Sequence, residues 1–390
     1  MIQTQFSKDE LRSRLQGLHL HGERALRTYA GFAANSPYAG QARQTFSLVL
    51  SQADIDYMQQ AMQQLYDRLR ADLVDQPPAG CIPFDFIRID AYYDTTERQL
   101  QILEINSRDA GMHEVCEWLD SKVVQVTDGI IAFNLNDRIA INQKSWHEAH
   151  LGPVDRVLYM SRAAIPRWLY YEALDRHYPQ LADLNSWHDV SYSDQGIVYG
   201  EDVFRAVITK AANWTPEIVK GLDRAGTVSV VQSRQNGHLG DKKYLEQLDL
   251  PFVTQSIALD AAKHEEYLTQ QVDLVLKLNK SSGSRGVTLG RSVTAEAWAT
   301  QLQTAYSVAT DWTMQRYAQP GNGDCLPHGQ PARDCRVLLG IFMLPKPDDP
   351  SQIDIEIVAK GYVGPDEAVL FDPAGHKADI WFGNVIVAAD

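Results

Sequence analysis

The chain of 390 residues is poor in cysteine: it has four (Cys81, Cys116, Cys325 and Cys335), and no CxxC pair among them. That spacing argues against a zinc site or a disulfide framework, so four buried thiols in a reducing cytoplasm are the expectation. Long apolar runs are missing as well. Nothing approaches the ~20 residues needed to span a bilayer, and the opening "MIQTQFSKDELRSRL" lacks the basic and then apolar stretches of a secretion signal. No membrane partner is therefore expected. Basic residues are the minority, 36 against 50 acidic ones, for a net charge of −14. Such a surface repels nucleic acid unless a local basic groove exists. It does not exclude a small anionic ligand, because exposed charges beyond ~10 Å are largely screened from a basic pocket. There is no internal repeat and no low-complexity segment. No clear Ser-His-Asp or Cys-His pattern is present, so covalent nucleophilic catalysis has no evident carrier.

The residues that are present suit two or three packed subdomains, with 44% hydrophobic composition. Residues 1–50 read as polar with helical hints, interrupted at "NSPYAG". From Ser51 the pattern sharpens. Ile55, Met58, Met62, Leu65, Leu69 and Leu73 recur three or four apart on one helical stripe, Ser51 with Asp54 forms a capping-box pattern, and "DQPPAG" ends the helix. Between 154 and 235 short apolar runs ("VDRVLYM", "GIVYG", "VSVVQS") alternate with helical patterns, the mark of an α/β unit. "DKKYLEQLD" predicts a short helix. "DLVLKL", "WTMQRYA", "RVLLGIFML" and "IDIEIVAKGYVG" predict strands.

The stretch "RIDAYYDTTERQLQILEIN" predicts a hairpin with an unusual face. Side chains alternate along a strand, so Arg88 and Asp90 share one face and Ile87 and Ile89 the other. Glu104 and Asn106 likewise share a face, with Leu103 and Ile105 opposite. A turn centred near Glu97 sets Asp90 against Glu104 and Arg88 against Asn106. Two carboxylates ~5 Å apart repel, and a divalent cation with a taste for hard oxygen ligands removes the conflict. The bland alternative is a salt bridge from Arg88 to Asp90 or Glu104. Further on, "NKSSGSRG" follows a strand directly, so its backbone amides could approach phosphate closely. Lys277 in that strand would otherwise be a costly interior charge.

Arg88-Ile89-Asp90 paired with Glu104-Ile105-Asn106 resembles the metal-binding hairpin of ATP-grasp enzymes, and "LEINSRDAGM" resembles the substrate loop that follows it. Here the hairpin comes early and the nucleotide-gripping parts late. That order resembles the circularly permuted branch with eukaryotic-type glutathione synthetase and glutathionylspermidine synthetase. "GDKKYLEQL" resembles that branch's lysine-bearing helix, with Lys242 or Lys243 as the phosphate lysine. "LVLKLNKSSGSRGVTLG" resembles its strand lysine and glycine-rich loop, matching Lys277, Gly283, Ser284 and Gly286. "WTMQRYA" resembles the hinge strand whose backbone meets adenine, at Gln315, Arg316 and Tyr317. One departure stands out. Glutathione synthetase has a further glutamate metal ligand in the glycine-rich loop, whereas "NKSSGSRG" has no acid, so more of the metal work is expected of Asp90.

The resemblance implies a circularly permuted ATP-grasp fold of the α/β (α+β) class. It implies an N-terminal helical segment at 1–78, an ATP-grasp part with the metal hairpin at 79–150, and a central α/β substrate domain at 151–235. A lid with the glycine-rich loop at 236–330 and closing strands at 331–390 complete it. It also implies ATP and two Mg²⁺ ions, with Asp90, Glu104 and Asn106 as metal ligands and Arg88 as the catalytic residue. Ser107, Arg108, His113 and Arg162 are candidates for contact with substrate. The expected activity joins a carboxylate to an amine through an acyl phosphate, on an amino acid or short peptide. A carrier-protein thiol as acceptor and a kinase-like phosphotransfer are the alternatives. A homodimer is expected by analogy.

Overall fold

The computed structural model describes residues 1–18, 20, 42–73, 87–107, 113–160, 169–184, 187–209, 220–221, 228–230, 238–280, 286–323, 325–328, 335–363 and 379–389. The chain is a mixed α/β protein. It starts with β1 (Ile2–Gln3), α1 (Lys8–Gln16), β2 (Ala42–Leu50) and α2 (Gln52–Ala71). The hairpin β3 (Ile87–Asp94) and β4 (Gln99–Asn106) follows, then α3 (His113–Thr127), β5 (Ile130–Ile131) and α4 (Leu135–Leu151). The middle of the chain holds β6 (Arg156–Met160), α5 (Leu169–His177), β7 (Gln180–Leu184), the meander β8 (Val190–Ser193), β9 (Gly196–Tyr199) and β10 (Asp202–Phe204), then β11 (Ala206–Thr209) and β12 (Ser229–Val230). A second set comprises β13 (Ser256–Ala258), α6 (His264–Thr269), β14 (Leu274–Leu278), β15 (Val287–Leu289), α7 (Ala295–Tyr306) and β16 (Trp312–Arg316). The last strands are β17 (Asn322–Gly323), β18 (Cys325–Pro327), β19 (Cys335–Pro345), β20 (Ile353–Val363) and β21 (Asp379–Val387).

Three of the sheets matter for the site. The largest, ten-stranded among the described residues, runs β18-β2-β21-β20-β19-β3-β4, with β1, β5 and β17 attached beside it. The middle sheet β12-β11-β6-β7 is all parallel. The small antiparallel sheet is ordered β13-β16-β14-β15 and packs on α6 and α7 through Tyr267, Trp298, Leu302 and Met314. Strand β2 belongs to the largest sheet, so the N-terminal segment, expected to be helical, also supplies a strand. Its run "FSLVL" is short enough to read as either element.

Helix α2 forms where the spacing predicts. Ser51 Oγ accepts from the Asp54 amide, Asp54 caps back onto Ser51, and Ile55, Met58, Met62, Leu65 and Leu69 are buried against one face of the largest sheet. Each such side chain contributes roughly 1.5–3 kcal/mol by burial. The other face of that sheet meets α4, α5 and the parallel sheet through Phe342, Leu344, Val358, Ile139 and Val157. Among the described residues no helix is long and apolar enough to cross a membrane. Cys325 is disulfide-bonded, against the expectation of four free thiols. Local spacing rules see only neighbouring cysteines, and the argument from cysteine for a reducing compartment lapses with this bond.

A buried polar network ties the far end of the largest sheet. His328 Nδ1 lies 2.8 Å from Thr45 Oγ1 and Nε2 lies 2.9 Å from Ser47 Oγ. Ser47 donates to Asn384 Oδ1 at 2.8 Å, and Asn384 Nδ2 donates to Asp120 Oδ1 at 3.0 Å. Because the Ser47 proton goes to Asn384, His328 Nε2–H must donate to Ser47. The Thr45 hydroxyl lies between His328 Nδ1 and the Leu20 carbonyl. A second buried histidine, His147, sits 3.0 Å from Ser229 Oγ.

Burial pushes both histidines down to about 3. In the unfolded chain they take up protons near 6.5, so the unfolded state binds more protons between about 6.5 and 3. Their contribution is complete above 6.5 and is lost as pH falls through that window, by up to about 1.4 kcal/mol per pH unit for each ring. Thermal melts of the wild type from pH 7.5 to 4.5 should fall more steeply than those of His328→Gln. Parallel curves would show that His328 is not held neutral.

Candidate active site at the charged hairpin

The hairpin ladder pairs Arg88 with Asn106 and Asp90 with Glu104, then shifts between Asp90 and Ala91 so that Ala91 meets Ile102. The shift is a bulge at Leu103. It places Leu103 beside Tyr92, Ala318 and Leu338, on the charged face instead of the aliphatic one expected for it. Two consecutive residues at a bulge can point to the same side, which strict alternation misses. Ile87, Ile89, Ile102 and Ile105 fill the opposite face, in the core with α2.

Arg88 and Asp90 form a two-pronged pair, Nε to Oδ1 at 2.9 Å and Nη2 to Oδ2 at 3.2 Å. Strand β19 lies beside them, with Phe342 opposite Arg88 and Gly340 opposite Asp90. A Cβ at Gly340 would come within 3.1 Å of Arg88 Cδ and of Val358 Cγ1, so this glycine makes room for the arginine stem. One strand further, Lys360 stands opposite Leu338, which itself faces Tyr92. Lys360 is therefore on the charged face. Burial pushes it down to about 8, and Arg88 pushes in the same direction, while Asp90 and Glu104 oppose. Sequence reasoning missed Lys360. The only available signal was a lysine inside the apolar run "IEIVAKGYV".

Two more lysines arrive from the later part of the chain. Lys242 opens a short 3-10 helix (Lys242–Gln247) where a short helix is expected. Tyr244 pins that turn, being buried in the main core and donating to Asp72 at 2.6 Å, and Asn279 Oδ1 accepts from the Lys243 amide. Lys242 is 4% exposed, with Nζ 3.5 Å from Glu104 Oε1. Of the two lysines considered for that role, the structure brings Lys242 to the hairpin. Lys277 in β14 is buried, and burial pushes it down to about 8. Glu104 and Asp90 oppose that push, and Lys242 reinforces it. Its Nζ donates to the Leu103 carbonyl at 3.2 Å, and Gln315 Nε2 donates to the same oxygen at 3.3 Å. The bulge thus offers a carbonyl to side chains of the small sheet. The backbone joins in: the Ile102 amide donates to Phe252 and the Thr254 amide to Ile102.

Around the hairpin, Arg88, Lys242, Lys277 and Lys360 converge, four cations against the two carboxylates of Asp90 and Glu104. Four cations gathered in a largely buried setting create a local positive potential that favours an anionic ligand. Among the described residues no three His, Cys, Asp or Glu side chains converge well enough to hold a metal by themselves. The hairpin still suits a cation in part. Glu104 offers a carboxylate and Asn106 an amide oxygen, both hard-oxygen ligand types. Asn106 Nδ2, a hydrogen-bond donor, is buried with no partner. The Ser107 hydroxyl beside it is also buried without a partner.

The other expected residues are placed as follows. Gly286 has φ +68° and packs on Leu278, closing the glycine-rich loop where a side chain would be strained. Gln315 is buried in the middle of the small sheet. The amides of Arg316 and Tyr317 are bonded to Gln255 and Asp273, and their side chains meet Gln270 and Arg291. Those two amides are thus already committed within the protein. His113 opens α3. Arg108, Arg162, Gly283 and Ser284 lie outside the described residues.

No family model matches this chain, and no curated protein does. Solved structures do. A glutathione synthetase-like effector from Globodera pallida, in its apo form, superposes with a TM-score of 0.57 over 94% of this chain and 96% of its own, at 10% identity. A gamma-glutamylcysteine synthetase, so named provisionally, from Methylobacillus flagellatus reaches 0.45 over 85% and 88%, also at 10% identity. The first likeness establishes a shared fold, that of a glutathione synthetase-like protein.

The gathering of cations has a direct consequence. Tripolyphosphate at low ionic strength should raise the melting temperature, by an amount equivalent to about 2.7 kcal/mol at ~100 times its Kd. Lys360→Met should lose most of that gain while melting normally without ligand. An equal gain in wild type and variant would show that the anion binds elsewhere.

Proposed function

We propose that this protein is an ATP- and Mg²⁺-dependent ligase of the circularly permuted ATP-grasp type, forming an amide on an amino acid or short peptide. The observation that carries the reading is the meeting of four cations from three parts of the chain on a hairpin bearing Glu104 and Asn106. A nucleoside triphosphate supplies the anion that this cluster calls for. The fold shared with a glutathione synthetase-like protein supports the ligase class.

In this reading Lys242, Lys277 and Lys360 hold the phosphates. Glu104 and Asn106 would hold Mg²⁺, which supplies charge neutralisation at the phosphates. The small apolar patch of Tyr92, Leu103, Ala318 and Leu338 lies next to the Lys277 anchor and would take the flat base. Arg88, held by Asp90, presents its guanidinium to the carboxylate that is activated and stabilises charge as phosphate is transferred. The carboxylate attacks the terminal phosphorus and ADP leaves. The amine then attacks the acyl carbon, and phosphate leaves with the proton balance completed by solvent. Such chemistry depends on positioning and electrostatics, so the missing nucleophile pattern is no obstacle.

Incubation with ATP, Mg²⁺, hydroxylamine and a panel of amino acids and dipeptides should yield a hydroxamate. A stable phosphorylated hydroxyl product without hydroxamate would replace the ligase by a phosphotransferase. Glu104→Gln should reduce turnover by more than ~100-fold, beyond the range for outer-sphere partners alone. Its melting temperature should fall modestly, because Glu104 faces the buried Lys242, while its circular dichroism spectrum at 25 °C should remain native. Full activity in that variant would remove Glu104 from the mechanism.

A further inference from the structure

We infer that Gly240 is a positioning residue: packed against Ser107, just past the end of β4, it seats Lys242 on Glu104. What Lys242 does for phosphate rests on the nucleotide-ligase reading above; the seat itself does not. Ser107 thereby leaves the substrate contacts that the resemblance implies for it and becomes one wall of the seat.

The contact comes down to one atom. A Cβ at Gly240 would fall 2.5 Å from Ser107 Oγ, far inside ordinary van der Waals separation. The next nearest atoms are the Ser107 amide nitrogen at 3.5 Å and the Ile105 carbonyl oxygen at 3.6 Å, which are unstrained distances. A single hydroxyl oxygen therefore excludes a side chain at this position. The backbone does not exclude one, because the φ of Gly240 lies outside the left-handed region, unlike that of Gly286. Glycine is needed here for room and not for conformation. Ser107 is 8% exposed and its hydroxyl is buried without a partner, so the oxygen is enclosed where it stands.

The segment has little freedom to ride over an obstacle. Leu239 before Gly240, and Tyr244 and Leu245 after Lys242, are all buried in the main core. Between them the Asp241 amide donates to the His238 carbonyl at 3.0 Å and the Tyr244 amide to the Asp241 carbonyl at 2.8 Å. Gly240 stands two positions before Lys242, and Ser107 three positions after Glu104. Fixing Gly240 on Ser107 thus sets Lys242 beside Glu104, where Nζ lies 3.5 Å from Oε1. A lysine stem is flexible, so the backbone beneath it decides where the ammonium can dwell. A methyl at position 240 must gain about 1 Å from Ser107 Oγ to reach ordinary contact, and Lys242 moves with the chain.

The test labels the amines of the full chain with acetic anhydride and reads each lysine by mass spectrometry. Gly240→Ala should raise the labelling rate of Lys242 about tenfold, as expected of a seat that opens locally, with Lys277 unchanged. Adding Ser107→Ala to that variant removes the obstructing oxygen and should return Lys242 to its wild-type rate. Wild-type labelling of Lys242 in Gly240→Ala would overturn the inference. So would a double variant that stays reactive, or exposure of Lys242 and Lys277 together, which marks general loosening. In the same chains an imido analogue of ATP with Mg²⁺ should bind Gly240→Ala about tenfold more weakly, the scale of one lost charge-assisted bond. It should bind the double variant and Ser107→Ala alone as it binds wild type. Loss of the analogue in Ser107→Ala alone would show that the hydroxyl meets ligand, and the seat would be wrong. If labelling behaves as expected but wild type binds no analogue, the seat stands and the nucleotide reading falls.

Discussion

Lys242 and Lys277 reach the hairpin from segments that follow it by more than a hundred residues, and both are buried where they arrive. A buried ammonium is tolerated only near compensating charge or dipoles. Glu104 supplies the charge for Lys242, and the bulged Leu103 carbonyl supplies the dipole for Lys277. The docking of the small sheet on the large one therefore runs through the same atoms that would meet a ligand. The backbone bonds between Ile102 and the 252–254 segment root the small sheet at that place. Disturbing the hairpin would disturb both the site and the seating of the sheet.

The bulge makes this double use possible. In a regular ladder the Leu103 carbonyl would face a partner strand. The extra residue releases it toward Lys277 and Gln315, and turns the Leu103 side chain onto the charged face. The same event gives the site an apolar floor next to its cations. Polar grip and apolar floor are what a nucleotide needs from a pocket. The opposite face is left to Ile87, Ile89, Ile102 and Ile105 and the core, so the site has a rigid back.

Much of this was legible from residue order. The stripe of α2 and its capping box follow from spacing, and the pairing of Asp90 with Glu104 follows from a turn near Glu97. Each depends on neighbours in sequence. The misses depend on distant partners or on one-residue irregularities. Leu103 changed face because a bulge breaks alternation. Lys360 was overlooked because only the order of β20, β19 and β3 brings it to the hairpin. The disulfide of Cys325 has no local spacing signature. Strand β2 hid in a segment whose polar flanks suggested helix, since its partners β18 and β21 come roughly 280 and 340 residues later.

The present contacts also say how a ligand would be received. The Lys277 bond to Leu103 is a long 3.2 Å contact to a neutral carbonyl, and the Lys242 contact to Glu104 is 3.5 Å. Phosphate oxygens would offer both lysines shorter, charge-assisted bonds. The exchange would thus run downhill for the lysines without a costly unpaired stage, because each cation keeps a partner until the new one arrives. Releasing Glu104 from Lys242 would free a carboxylate for a cation. The Arg88–Asp90 pair lacks that slack, with both oxygens bonded and β19 closed against the arginine stem. Under the proposed ligase reading such a site would divide its labour: the lysines would adapt to the incoming phosphates, and the arginine, clamped by Asp90, would hold the geometry at the reacting carboxylate.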